Sequence, residues 1–157
     1  MQTLLRHMLI ALLTIVPLAS VPAQANELKS PEIWTDMHGH ALKGYDAVAY
    51  HLERRPVKGD PAYAVKWKKA TWLFANAKNR DAFLANPTKW APQYGGYCAW
   101  GIAEDRTVGI NPKIFRIFEG KLYLNLNMKV HREWLEKRHA FISRANEKWP
   151  NILVMKR

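Results

Sequence analysis

The sequence is short of cysteine, with Cys98 alone among its 157 residues. One cysteine excludes an intramolecular disulfide, a Cys-x-x-Cys redox pair and every zinc site built from several cysteines. The chain also lacks Gly-x-Ser-x-Gly and His-Glu-x-x-His strings. No pattern therefore indicates a serine hydrolase or a zinc protease of the usual kinds.

Long apolar runs are scarce too, and the one that stands out lies at the start of the chain. Met8 to Leu18 is uncharged, follows Arg6, and precedes a small-x-small string at residues 23–25. This order is typical of a signal peptide cleaved after Ala25. The run is about half the roughly 20 residues that a membrane-spanning helix needs, which disfavours a retained anchor. We therefore expect a periplasmic or secreted protein.

Acidic residues are few, 13 against 24 lysines and arginines, which gives a net charge of +11. Hydrophobic residues make up 48% of the chain, an ordinary globular balance. Because the basic residues are dispersed, we expect either a solvated face or a weak attraction to the anionic surface of the cell envelope. Export makes nucleic acid an implausible partner, and we expect none.

The mature chain shows an α+β pattern after a polar lead-in arm, residues 26–43. Residues 63–67 and 71–75 alternate as one hairpin, and Asn76 can cap a short helix after it. Residues 114–118 and 121–125 flank Glu119 and Gly120 as a second hairpin. Residues 128–149 have a helical apolar stripe. The sequence therefore predicts a small single α+β domain with two antiparallel hairpins, a short helix and a long C-terminal amphipathic helix.

Several blocks in this order make the chain recognisable. Residues 44–50 read GYDAVAY, residues 91–99 read APQYGGYCA, and residues 72–76, 79–83 and 120–125 read WLFAN, NRDAF and GKLYLN. The sequence resembles the exported YHS-domain proteins of bacteria, a subfamily some of whose members carry a selenoprotein label. The resemblance covers nearly all of the mature chain and places a YHS-like domain at residues 44–157.

The resemblance implies a small α+β module for which a metal-binding role is commonly proposed. That role rests on cysteines in the strand-to-helix segment of many members, and residues 74–76 of this chain contain none. What remains is Cys98, which could bind a soft ion such as copper as its thiolate. Cys98 could equally be a small buried side chain, a redox thiol or an intermolecular partner.

His38 and His40 are the nearest candidate metal ligands by residue type. Two residues apart on an extended segment, they would point to the same side and could meet one ion with Cys98. The alternative is a polar turn with two solvated imidazoles.

A second cluster could line a pocket for a small cofactor. Asp46 is either a helix cap or a pocket carboxylate. Aromatic rings with polar rims are typical of small-molecule sites, and the glycines would allow a ligand to approach closely. The candidate binding residues are Tyr45, Asp46, Tyr50, Tyr94, Gly95, Gly96 and Tyr97.

Three functional hypotheses follow. The first is an exported YHS-domain module that binds a soft metal ion or a small cofactor at a Cys98-centred, tyrosine-lined site. The second is a thiol redox protein that uses Cys98, for which no neighbouring histidine or lysine lowers the thiol pKa. The third is a non-catalytic envelope protein that binds a partner protein. A non-enzymatic role is favoured.

Overall fold

The computed structural model describes residues 30–154, so the predicted signal peptide lies outside the described residues. The elements in chain order are α1 (Ala47–Leu52), β1 (Asp60–Trp67), β2 (Ala70–Phe74), α2 (Ala77–Ala85), α3 (Pro87–Trp90), α4 (Ala99–Ala103), β3 (Phe115–Phe118), β4 (Lys121–Leu124), α5 (Met128–Glu136) and α6 (Arg138–Lys148). Short 3-10 turns cover Leu42–Gly44, Gln93–Gly96 and Asn151–Leu153. The predicted α+β class is confirmed.

Both predicted hairpins are present as two-stranded antiparallel sheets. In the first, β1 and β2 are joined by Lys68 and Lys69, whose φ angles are 48° and 64°. In the second, Glu119 and Gly120 join β3 to β4 with φ angles of 49° and 72°. Two central residues with positive φ match the twist of the flanking strands, which explains how such short links suffice.

Aromatic side chains fill the core on the side of the first hairpin. Phe83 of α2 is fully buried, and its ring centroid lies 4.9 Å from that of Trp72 and 5.0 Å from that of Phe74. The helix that carries Phe83 begins as predicted, because the side chain of Asn76 accepts a hydrogen bond from the N–H of Asn79.

The predicted long C-terminal helix is two helices in the structure. The chain leaves the helical conformation at Lys137, where φ is −120° and ψ is 29°. In α5, Trp134 packs on Tyr123 of β4 with ring centroids 5.1 Å apart, whereas α6 lies along α4 and buries Phe141. Residues 128–149 contain no glycine or proline that would have signalled the break. We therefore attribute it to the different tertiary packing of the two helices.

The segment predicted as a polar arm contributes to the folded core from Ile33 onward. Ile33 and Leu42 are both buried. The N–H of Ser30 donates to the carbonyl of Leu153, and the N–H of Trp34 donates to that of Gly95. These contacts hold the segment against both the glycine-rich loop and the C-terminal turn. Within residues 30–154, the structure contains no helix long and apolar enough to cross a membrane.

Candidate functional site

Cys98 lies between the glycine-rich loop and α4, at the centre of the fold. Its side chain has no solvent exposure. Its N–H donates to the carbonyl of Val108 at 3.1 Å, and its backbone forms a bridge with Leu124 of β4. The residue is therefore fixed on two sides by main-chain contacts.

A buried polar network continues from the Cys98 thiol. The thiol donates to Oδ1 of Asn125 at a sulfur–oxygen distance of 3.5 Å, and the N–H of Trp100 donates to the same oxygen at 3.3 Å. The Asn125 amide in turn lies 3.1 Å from Nδ1 of His131. Because an amide N–H2 only donates, Nδ1 accepts, and the imidazole is neutral with its proton on Nε2.

Burial sets the protonation states in this network. It raises the pKa of the Cys98 thiol, against a smaller lowering by hydrogen bonds from the backbone of Gly101, Leu126 and Trp100. Burial also lowers the pKa of His131, and the positive charge of Arg116 lowers it further. The network therefore favours a neutral thiol beside a neutral imidazole.

Cys98 borders a pocket of about 400 Å³, which we call the thiol pocket. Its lining residues are Cys98, Trp100, Arg106, Val108, Leu126, Asn127, Lys129, Val130 and Glu133. The indole Nε1 of Trp100 is buried, and no residue of the described chain accepts its proton. Arg106 and Lys129 outweigh Glu133 in charge, so the lining carries one net positive charge.

Asp46 is a helix cap, which confirms the structural interpretation of this residue. Its Oδ1 accepts from the N–H groups of Val48 and Ala49 at the start of α1. Its Oδ2 accepts from the N–H of Ala75 and from Nδ2 of Asn79. The carboxylate has no solvent exposure, so its role is to join α1 to the end of β2 and the start of α2.

Tyr45 and Tyr50 do not face the thiol pocket. Tyr50 is fully buried, donates its hydroxyl to the carbonyl of Pro112 at 2.8 Å, and packs edge-on against Phe115. Tyr45 is half-buried, and Nζ of Lys58 lies 4.4 Å from its ring centroid. Tyr50 is thus a core residue, and the predicted tyrosine lining of the Cys98 site is not assembled from this part of the chain.

Tyr94 and Gly95 line a different pocket, which also measures about 400 Å³. We call it the tryptophan pocket, and its lining includes Glu32, Trp67, Lys68, Gln93, Tyr94, Gly95, Asn146 and Trp149. The loop beside it has the positive φ angles that its glycines predicted, 59° at Gly95 and 81° at Gly96. Tyr97 does not line it, and donates its hydroxyl to the carbonyl of Pro31.

His38 and His40 lie in a turn and not on the extended segment that we predicted. Their N–H groups both donate to Oδ1 of Asp36 at 2.9 Å, and their ring centroids are 5.9 Å apart. His40 bridges to Thr71 of β2, whereas Cys98 bridges to β4. Over residues 30–154 no three His, Cys, Asp or Glu side chains are grouped so that they could hold a metal ion.

Sequence reasoning missed His131, as it missed every residue of the thiol-pocket lining except Cys98. The signal that could have found it lies in the residues that follow the end of β4. Asn127 caps α5 through hydrogen bonds to the N–H groups of residues 129 and 130. A side chain in the first turn of a helix points back toward its start, so His131 faces Asn125.

The comparisons with known proteins give no relative for this chain, since no family model, curated protein or solved structure matches it. The resemblance to YHS-domain proteins therefore stays a prediction from the sequence.

Proposed function

We propose that this chain is an exported YHS-type binding module that takes a small organic ligand in the thiol pocket. The observation that carries the proposal is the lining of the thiol pocket, where apolar side chains lie beside basic side chains that outweigh the single acidic one.

The lining indicates what kind of ligand fits. Val108, Leu126 and Val130 supply apolar surface, while Arg106 and Lys129 supply positive charge. A pocket of this kind suits a small molecule with an apolar body and one anionic acceptor group, such as a carboxylate.

The buried network supports binding in preference to thiol chemistry. A raised pKa keeps Cys98 as the thiol, whereas the thiolate is the nucleophile and the soft-metal ligand. Asn125 and His131 hold the thiol in place but supply no base that would ionise it, because the Asn125 amide already occupies Nδ1 of His131. These features weigh against the redox alternative and against copper bound at Cys98.

The test is a titration of the purified chain with each of three carboxylates. These are benzoate, indole-3-acetate and hexanoate, and ligand-observed NMR measures their binding. Lys129→Gln removes one of the two positive charges of the lining, so we expect about fivefold weaker binding. Arg106→Gln should weaken binding by about tenfold, and Arg132→Gln, on the exposed side of α5, should leave it unchanged.

The same proteins separate the alternatives. If none of the carboxylates binds, or if binding ignores both pocket variants, the proposal is wrong. A parallel titration of the reduced protein with Cu(I) against a colorimetric competitor tests the metal hypothesis. One-to-one binding with submicromolar affinity that Cys98→Ala removes would replace the small-molecule proposal with copper binding.

A further inference from the structure

The tryptophan pocket is a cavity that the proposed function does not use. Trp67 of β1 and Trp149 at the end of α6 contribute aromatic rings to its lining. Gln93 and Asn146 contribute neutral amides, each of which can both donate and accept hydrogen bonds. The pocket thus combines aromatic rings with neutral polar groups, and Nζ of Lys68 lies 4.9 Å from the ring centroid of Trp67.

The charges at this pocket cancel. Glu32 and Lys68 form an ion pair across its edge, and their side chains remain 45% and 40% exposed. This neutral lining differs from the positive lining of the thiol pocket and from the strongly basic chain as a whole. A neutral lining gives no advantage to an anion or a cation, so the fitting ligand is uncharged.

The aromatic rings are held in place by other rings. Trp67 packs edge-on against Trp72 and Phe83 with centroid distances of 5.5 Å and 5.6 Å. Trp149 contacts Tyr94 and Tyr97 at 6.1 Å and 6.0 Å. Rings fixed in this way lose little conformational freedom when a ligand packs on them.

Tyr94 fixes one of the amides at some conformational cost. Its hydroxyl donates to Oδ1 of Asn146 at 2.9 Å, which leaves the amide N–H2 as a donor toward a ligand. Its backbone is in the left-handed region, with φ of 55° and ψ of 38°. Such a conformation is unfavourable for residues other than glycine.

We propose that the tryptophan pocket binds a neutral saccharide. A sugar ring has C–H faces that pack on aromatic rings and hydroxyl groups that both donate to and accept from amides. An apolar aromatic molecule would leave the amides of Gln93 and Asn146 without partners, and an ion would find no net charge. The saccharide is the class that uses both parts of the lining.

The test is a titration of the purified chain with chitotriose, cellotriose and maltotriose, with indole as an apolar aromatic probe. Binding is followed by saturation-transfer NMR and by tryptophan fluorescence, since two pocket residues are tryptophans. We expect at least one trisaccharide to bind with a Kd of about 1 mM or below. Asn146→Ala and Gln93→Ala should each weaken binding by about fivefold to tenfold.

A control variant and a further pocket variant complete the experiment. Ser143→Ala changes an exposed polar residue of the same helix outside the pocket lining and should not alter saccharide binding. Trp149→Ala should abolish binding, and its fold is checked by circular dichroism because Trp149 also packs on two tyrosines. The proposal is overturned if no trisaccharide binds, if only indole binds, or if Asn146→Ala and Gln93→Ala bind like the unchanged chain. None of these results depends on the thiol pocket.

Discussion

The buried carboxylate of Asp46 should be one of the most sensitive positions of the fold. In Asp46→Asn, Oδ1 still accepts from the two helix N–H groups, but an N–H2 group replaces Oδ2. The amide of Asn79 can flip and accept from it. The N–H of Ala75 then has no acceptor, and this costs about 1–3 kcal/mol. We expect Asp46→Asn to lower the free energy of unfolding by about 2 kcal/mol.

Asp46→Ala should destabilise the fold more than Asp46→Asn does. It loses the helix cap, worth about 1 kcal/mol, and leaves the donors of both Ala75 and Asn79 without their acceptor. We expect a loss of about 4 kcal/mol, a large fraction of the stability of a domain of this size.

Asp36→Asn is the matched control. Asp36 also accepts two backbone N–H groups through Oδ1, at 2.9 Å each, but it lies in a turn, and its side-chain partners within residues 30–154 are at most four residues away in the sequence. Its replacement should cost less than about 1 kcal/mol. Urea unfolding followed by tryptophan fluorescence measures all three variants, with the midpoint compared at constant slope. If Asp46→Asn costs no more than Asp36→Asn, the long-range hydrogen bonds do not contribute as argued.

Three further predictions concern the backbone and the dependence of stability on pH. Gly95→Ala should lower the free energy of unfolding by about 2–4 kcal/mol in urea unfolding, because a Cβ there would lie 1.8 Å from the carbonyl oxygen of Glu32. Gly39 also has a positive φ, but a Cβ there would meet no atom within 4 Å. Gly39→Ala should therefore cost only about 1 kcal/mol. The folded-state pKa of His131 lies below its ordinary 6.5, so stability should fall as the pH drops below that value, and His131→Gln should reduce this loss between about pH 7.5 and pH 5. Burial raises the pKa of Tyr97 from 10.0 to about 12, so stability should fall as the pH rises from 10 toward 12. Tyr97→Phe should lose less stability over that range. Equal losses of stability in both proteins would contradict this.

Local signals in the sequence were enough to predict most of the elements. Glu119 and Gly120 indicated the second hairpin, and Asn76 indicated the start of α2, because turn and cap residues act on their own neighbours. The break at Lys137 could not be predicted in this way. It depends on α6 packing along α4 while α5 packs on β4, and those contacts join residues that are far apart in the sequence.

The candidate site was predicted in part. Cys98, the residue that the sequence placed at its centre, borders the thiol pocket. The predicted tyrosine lining did not form, because Tyr50 and Tyr94 lie on different sides of the core. Sequence reasoning identifies residue types suited to a pocket, but which of them face the same cavity depends on how the loops pack.

The hydrogen bond between Ser30 and Leu153 has a consequence for the order of folding. It joins the two ends of nearly the whole described chain, so it cannot form until synthesis has reached the last turn. Contacts of such long range raise the contact order of the fold, and a higher contact order slows folding.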